Sequence, residues 1–119
     1  MSCLIPHLLI LHSAELEARL NDEAEATGQT KSKTARSAID TGIPRALEMS
    51  RAEILVRSQH IERLTKLPRA GVWLERQTEK VVFDFANDLK IPKWKIYSLA
   101  IDVGMDIWSE FFRLHTIKL

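Results

Sequence analysis

Ala38-Ile39-Asp40-Thr41-Gly42 returns as Ala100-Ile101-Asp102-Val103-Gly104, 62 positions further along a chain of 119 residues. The same offset aligns Ala24 with Ala86, Lys31 with Lys93 and Lys33 with Lys95, and further back Glu17 with Glu79 and Asp22 with Asp84. Self-similarity at a fixed period governs the architecture and takes precedence over local features. Two copies in one polypeptide predict a pseudo-two-fold object, a dimer folded from a single chain.

Around each copy the apolar pattern predicts the same order of elements. Residues 7–12 (His-Leu-Leu-Ile-Leu-His) are too short an apolar run for a helix and suit a strand. Ser13 is an N-cap, and Leu16, Leu20 and Ala24 follow at helical spacing up to Gly28, a residue suited to a left-handed C-terminus. Thr30 caps a second helix that turns Ala35, Ala38 and Ile39 inward and is expected to end at Gly42. Pro44 fits the first turn of another helix. Ser50-Arg-Ala-Glu53 is a capping box opening a connector with Ile54, Leu55, Ile61 and Leu64, stopped by Pro68. The second copy repeats the scheme: a strand at Gly71–Arg76, a helix from Gln77 to Leu89, and, after Pro92, a last helix to about Leu114. The divisions expected are a first repeat over 1–43, a helical connector over 44–68 and a second repeat over 69–119, together one compact domain.

A strand of about six residues followed by helix, turn and helix resembles the ribbon-helix-helix (Arc/MetJ-type) superfamily. The residues that carry the resemblance are Leu16, Leu20, Ala24, Gly28, Ser32, Ala38 and Ile39, with Val82, Ala86, Ala100 and Ile101 in the second copy. Lys90 stands where the glycine would be, and Trp94 where the serine would be. The resemblance implies a mostly α fold: two ribbon-helix-helix repeats forming an intrachain pseudo-dimer, with residues 7–12 paired to residues 69–75 in a two-stranded antiparallel ribbon. It implies further that the ribbon lies in the major groove of double-stranded DNA and reads base edges with its outward side chains. The start of each second helix would grip a phosphate.

Two sets of residues follow. The phosphate clamp is Thr30, Lys31, Ser32 and Lys33 at one helix start and Lys93, Trp94 and Lys95 at the other. Lysine opposes the macrodipole at a helix N-terminus, so lysines kept there in both copies point to a partner anion; the competing reading is solubilising surface charge. The base-facing set is His7, Leu9 and Leu11 on the first strand, with Leu8, Ile10 and His12 inward. On the second strand it is Arg69, Gly71 and Trp73, with Val72 and Leu74 inward. A base-reading face should be rich in Arg, Lys, Asn, Gln and Thr, and few of these residues qualify.

Composition narrows the function classes. Net charge is +1, so a basic footprint must be local. The single cysteine and four scattered histidines offer no disulfide and no metal-ligand spacing. No phosphate loop or nucleophile elbow is present, so neither an enzyme nor a cofactor is expected. No apolar run reaches the roughly 18 residues of a membrane span, and a cytoplasmic location is expected. The function expected is DNA binding by occupancy, as a transcriptional repressor or as an accessory factor in plasmid or DNA transfer. Two alternatives stand beside it. A helix-turn-helix regulator would use Ala24, Gly28, Ala86, Ile96 and Leu99. A protein-interaction module, paired with another protein or a second copy, would suit the near-neutral charge and the apolar strands.

Overall fold

Leu4–Ile10 (β1) and Arg69–Glu75 (β2) pair antiparallel, with Leu4 opposite Glu75, His7 opposite Val72 and Ile10 opposite Arg69. The computed structural model describes residues 4–11, 13–58 and 68–117. Expectations for His12, Ile61 and Leu64 lie outside them. Pro6 is tolerated because a two-stranded ribbon consists of edges, where a missing N–H need not break a ladder. The first strand begins three residues earlier than expected and the second two residues earlier.

Helix α1 (Ala14–Thr27) starts where the Leu16 amide donates to Ser13 Oγ at 3.1 Å. It buries Leu16, Leu20 and Ala24 and ends at Gly28, φ 68°, with the Gln29 amide donating to the Ala24 carbonyl. Helix α4 (Arg76–Leu89) ends in the same geometry on Lys90, φ 56°, with the Ile91 amide donating to the Ala86 carbonyl. A side chain at that φ crowds the carbonyl, which costs about 1–2 kcal/mol.

Helix α2 (Lys31–Ala46) is capped by Thr30, whose Oγ1 accepts the Lys33 amide at 3.1 Å. It does not stop at Gly42, and Pro44 does not open a new helix: Pro44 sits in the last turn of α2. Its ring faces solvent, while Gly42 and Ala46, one turn apart, stay buried on the inner face. The packing of that face holds the helix together past the missing hydrogen bond. Helix α3 (Arg51–Ser58) opens with the expected capping box, the Glu53 amide donating to Ser50 Oγ at 3.2 Å. Arg51 Nε donates to the Leu89 carbonyl at 2.9 Å, tying α3 to the end of α4.

Helix α5 (Lys93–Ile117) is the long central element. Ile96, Tyr97, Leu99, Ala100, Ile101, Val103 and Met105 are all buried, because α2, α3, α4 and β1 pack around it. The crossing of α2 and α5 is close enough that a Cβ on Gly42 would overlap the Ala100 carbonyl, and a Cβ on Gly104 the Ala38 carbonyl. The twice-occurring Ala-Ile-Asp-x-Gly motif is therefore this crossing. One contiguous core joins Leu9 and Leu11, Ile39, Ile54 of the connector, Val72 and Leu74, and Ile101. Among the described residues no helix is long and apolar enough to cross a membrane.

Candidate nucleic-acid interface

Period-two alternation gives the ribbon one buried and one open face. On β2 the assignment holds: Ala70, Val72 and Leu74 are buried, while Arg69, Gly71 and Trp73 face out. On β1 the structure reverses it. Leu9 and Leu11 are 4% and 0% exposed, and His7 lies opposite Val72 on the same inner face. The outward residues are Leu4, Pro6, Leu8 and Ile10, with Leu8 63% exposed. His7, Leu9 and Leu11 are thus not base-facing.

A one-residue offset at the strand–helix junction accounts for the reversal. Leu11 stands two positions before its cap, Ser13, whereas Leu74 stands one position before Glu75, the cap of α4. Helix starts therefore recur at 62 (Ala14 and Arg76, Lys31 and Lys93), but inward strand residues recur at 63 (Leu9 and Val72, Leu11 and Leu74). Carrying one offset through both elements flips every strand side chain.

The start of α2 lies against the ribbon. Lys31 Nζ donates to the Arg69 carbonyl at 3.3 Å and to Glu17 Oε2 at 2.9 Å. Glu17 balances the Lys31 charge, so Lys31 serves first to fasten α2 to α1 and β2. Lys33 is exposed and, among the described residues, has no ion-pair partner. Thr30 takes the Lys33 amide, and Thr34 Oγ1 donates to the Thr30 carbonyl at 2.9 Å. The amides of Lys31 and Ser32, in the first turn, have no partner inside the helix. Lys31, Ser32, Arg69, Gly71, Trp73 and Pro6 line a shallow open depression between this helix start and the ribbon.

The start of α5 is built differently. Lys93 Nζ lies 5.4 Å from the centre of the Phe83 ring, and Lys95 Nζ lies 5.8 Å from that of Trp94. Aromatic faces hold these ammonium groups by about 0.5–1 kcal/mol at exposed sites without cancelling their charge. The two clamp sets therefore both stand at helix starts, one beside a carboxylate and one over aromatic rings.

Three further groups were not evident as a set in the sequence. Beneath the ribbon, His7 Nε2 stands 3.5 Å from Glu79 Oε2, close enough for an ion pair when the imidazole is protonated but outside hydrogen-bond geometry. The Tyr97 hydroxyl beside it is buried and, among the described residues, has no hydrogen-bond partner; burial, with the Glu79 charge, pushes its pKa up to about 12. Arg19 reaches from α1 to α5, 3.2 Å from Asp102 and 2.8 Å from Asp106. Asp102 thus ties α5 to α1 through a partner 83 residues away. Burial raises the pKa of Asp40 against the opposing pull of Arg36. Among the described residues no group of His, Cys, Asp and Glu is placed to hold a metal ion.

Comparison of the chain with models of protein families, with curated proteins and with solved structures finds no match.

Proposed function

We propose that the chain is a tandem ribbon-helix-helix protein, an intrachain pseudo-dimer that binds double-stranded DNA and acts by occupying it. The observation that carries this reading is the depression where the start of α2 meets the outward side of the ribbon, with Lys31, Ser32 and Arg69 on its wall. A helix start with free amides attracts a phosphate, and an adjacent two-stranded ribbon has the width to enter a major groove. Lys33, Lys93 and Lys95 supply the charge for backbone contact. The ribbon supplies few hydrogen bonds to bases, so phosphate contacts dominate affinity. Either transcriptional repression or an accessory role in DNA transfer fits an occupancy mechanism inside the cytoplasm.

Salt titration of binding to a pool of random duplex DNA tests the reading. Affinity that falls steeply with salt is the expected result. Absence of binding at low salt would overturn it in favour of a protein-interaction module. That second reading draws on one observation: Leu8 and Trp73, 63% and 53% exposed, lie on the same outward face.

A further inference from the structure

The outward face of the ribbon is not the same at its two ends. Its central pair is Leu8 and Gly71; on one side Ile10 stands opposite Arg69, and on the other Pro6 stands opposite Trp73. A two-fold axis through the centre would exchange Arg69 with Pro6 and Trp73 with Ile10. Among the described residues every outward hydrogen-bonding side chain of the ribbon belongs to β2, namely Arg69, Trp73 and Glu75, and β1 contributes Leu4, Pro6, Leu8 and Ile10. Glu75 is already engaged, 3.4 Å from Arg36 Nη2. Arg69 is exposed, and among the described residues its guanidinium has no ion pair; its carbonyl holds Lys31, so the cationic helix start lies beside it.

Resting on the DNA reading above, we infer that the ribbon reads a duplex with a direction. Arg69 hydrogen-bonds a guanine edge, O6 and N7, in one half of the site. Leu8 and Pro6 lie against thymine methyl groups at the centre and in the other half, where arginine is absent and the outward donor beside Pro6 is the indole N–H of Trp73. Arginine to guanine and apolar contact to the thymine methyl are the pairings that major-groove chemistry favours for these side chains. A ribbon made by two identical chains must present the same residue twice and therefore selects a palindrome, since operator symmetry mirrors protein symmetry. Here the duplicated chain carries arginine once, and the recognised site is asymmetric.

The test is selection from a random duplex pool with the full chain, followed by the same selection with Arg69→Gln and with Pro6→Arg. The expected outcome is a motif with a fixed guanine in one half only. Arg69→Gln should lose that guanine preference, a drop of about ten- to a hundred-fold against the other bases, and leave the rest of the motif unchanged. Pro6→Arg should add a guanine in the opposite half and make the motif more symmetric. A palindromic motif with the unaltered chain, or salt-sensitive binding with no motif at all, would overturn the directional inference while leaving DNA binding in place. No binding at low salt would overturn both.

Discussion

Gly42 of α2 rests on the carbonyl of Ala100 in α5, with no space for a Cβ between them. The reciprocal contact, Gly104 on the carbonyl of Ala38, lies one turn away along each helix. Each helix thus brings a glycine of its Ala-Ile-Asp-x-Gly motif against the alanine carbonyl of the other motif. Small residues let the two backbones approach, and the large side chains Ile39 and Ile101 beside them fill the core.

Gly42→Ala should destabilise the protein although it improves helix propensity by roughly 1 kcal/mol. The added methyl meets backbone, which cannot rotate aside, and overpacking of this kind costs about 1–3 kcal/mol or more. Urea unfolding checks the balance. A net gain in stability would mean that the helices do not cross at this residue.

The ribbon face is checked by a neighbouring pair. Leu9→Ala should cost about 2–4 kcal/mol, as buried leucine truncations do, while Leu8→Ala should change stability by less than about 0.5 kcal/mol. The opposite order would place the strand one residue out of register.

Lys33→Ala combined with Lys93→Ala should lower the slope of log affinity against log salt by roughly 2, because each phosphate that is no longer neutralised lowers it by about 0.9. Lys31→Ala should change the slope less, because Glu17 already balances that charge. A slope unaltered by the double substitution would show that these lysines do not touch the phosphate backbone.

Lys90→Gly should stabilise the protein by about 0.5–1 kcal/mol, since it relieves the left-handed conformation while the flexibility glycine adds to the unfolded chain offsets part of the gain. The φ of 56° at Lys90 is the strain removed. Thermal unfolding reads the result, and a loss of stability would show that Lys90 contributes more than its backbone geometry costs.

Alkaline pH should destabilise the fold through Tyr97. In the unfolded chain the phenol loses its proton near pH 10, whereas in the fold it holds it to about pH 12. Between those values the unfolded state binds fewer protons, so stability falls as pH rises; below about pH 10 the stabilising contribution is fully present. Tyr97→Phe should lack this part of the alkaline loss. It should also cost little near neutral pH, since the hydroxyl it removes has no hydrogen-bond partner among the described residues. Unfolding curves at about pH 9 and about pH 11.5, on either side of the phenol's ordinary titration, compare the two.

The helices were legible in the sequence because their determinants are local. Ser13, Gly28, Thr30 and the Ser50–Glu53 box act on their near neighbours in the chain, and each is found in the role its chemistry suggests. The repeated motif was legible too, although the sequence did not indicate that its glycines touch the opposite copy. The orientation of β1 was not legible, since it turns on one residue at a junction and an apolar run such as Leu8-Leu9-Ile10-Leu11 has no polar face to mark the outside. Nor were the partners of the charged residues. Lys31 meets Glu17 across 14 positions, and Arg19 meets Asp102 across 83; only the packing of α1 against α2 and α5 brings them together.

Both strands of the ribbon belong to one covalent chain, so their pairing is a unimolecular event. A ribbon assembled from two separate subunits dissolves on dilution, and its melting temperature drifts with protein concentration. Here dilution leaves the ribbon intact, and a handful of molecules in a cell would carry it as completely as a concentrated solution. A substitution, moreover, enters once rather than twice, so either end of the ribbon is free to change without the other.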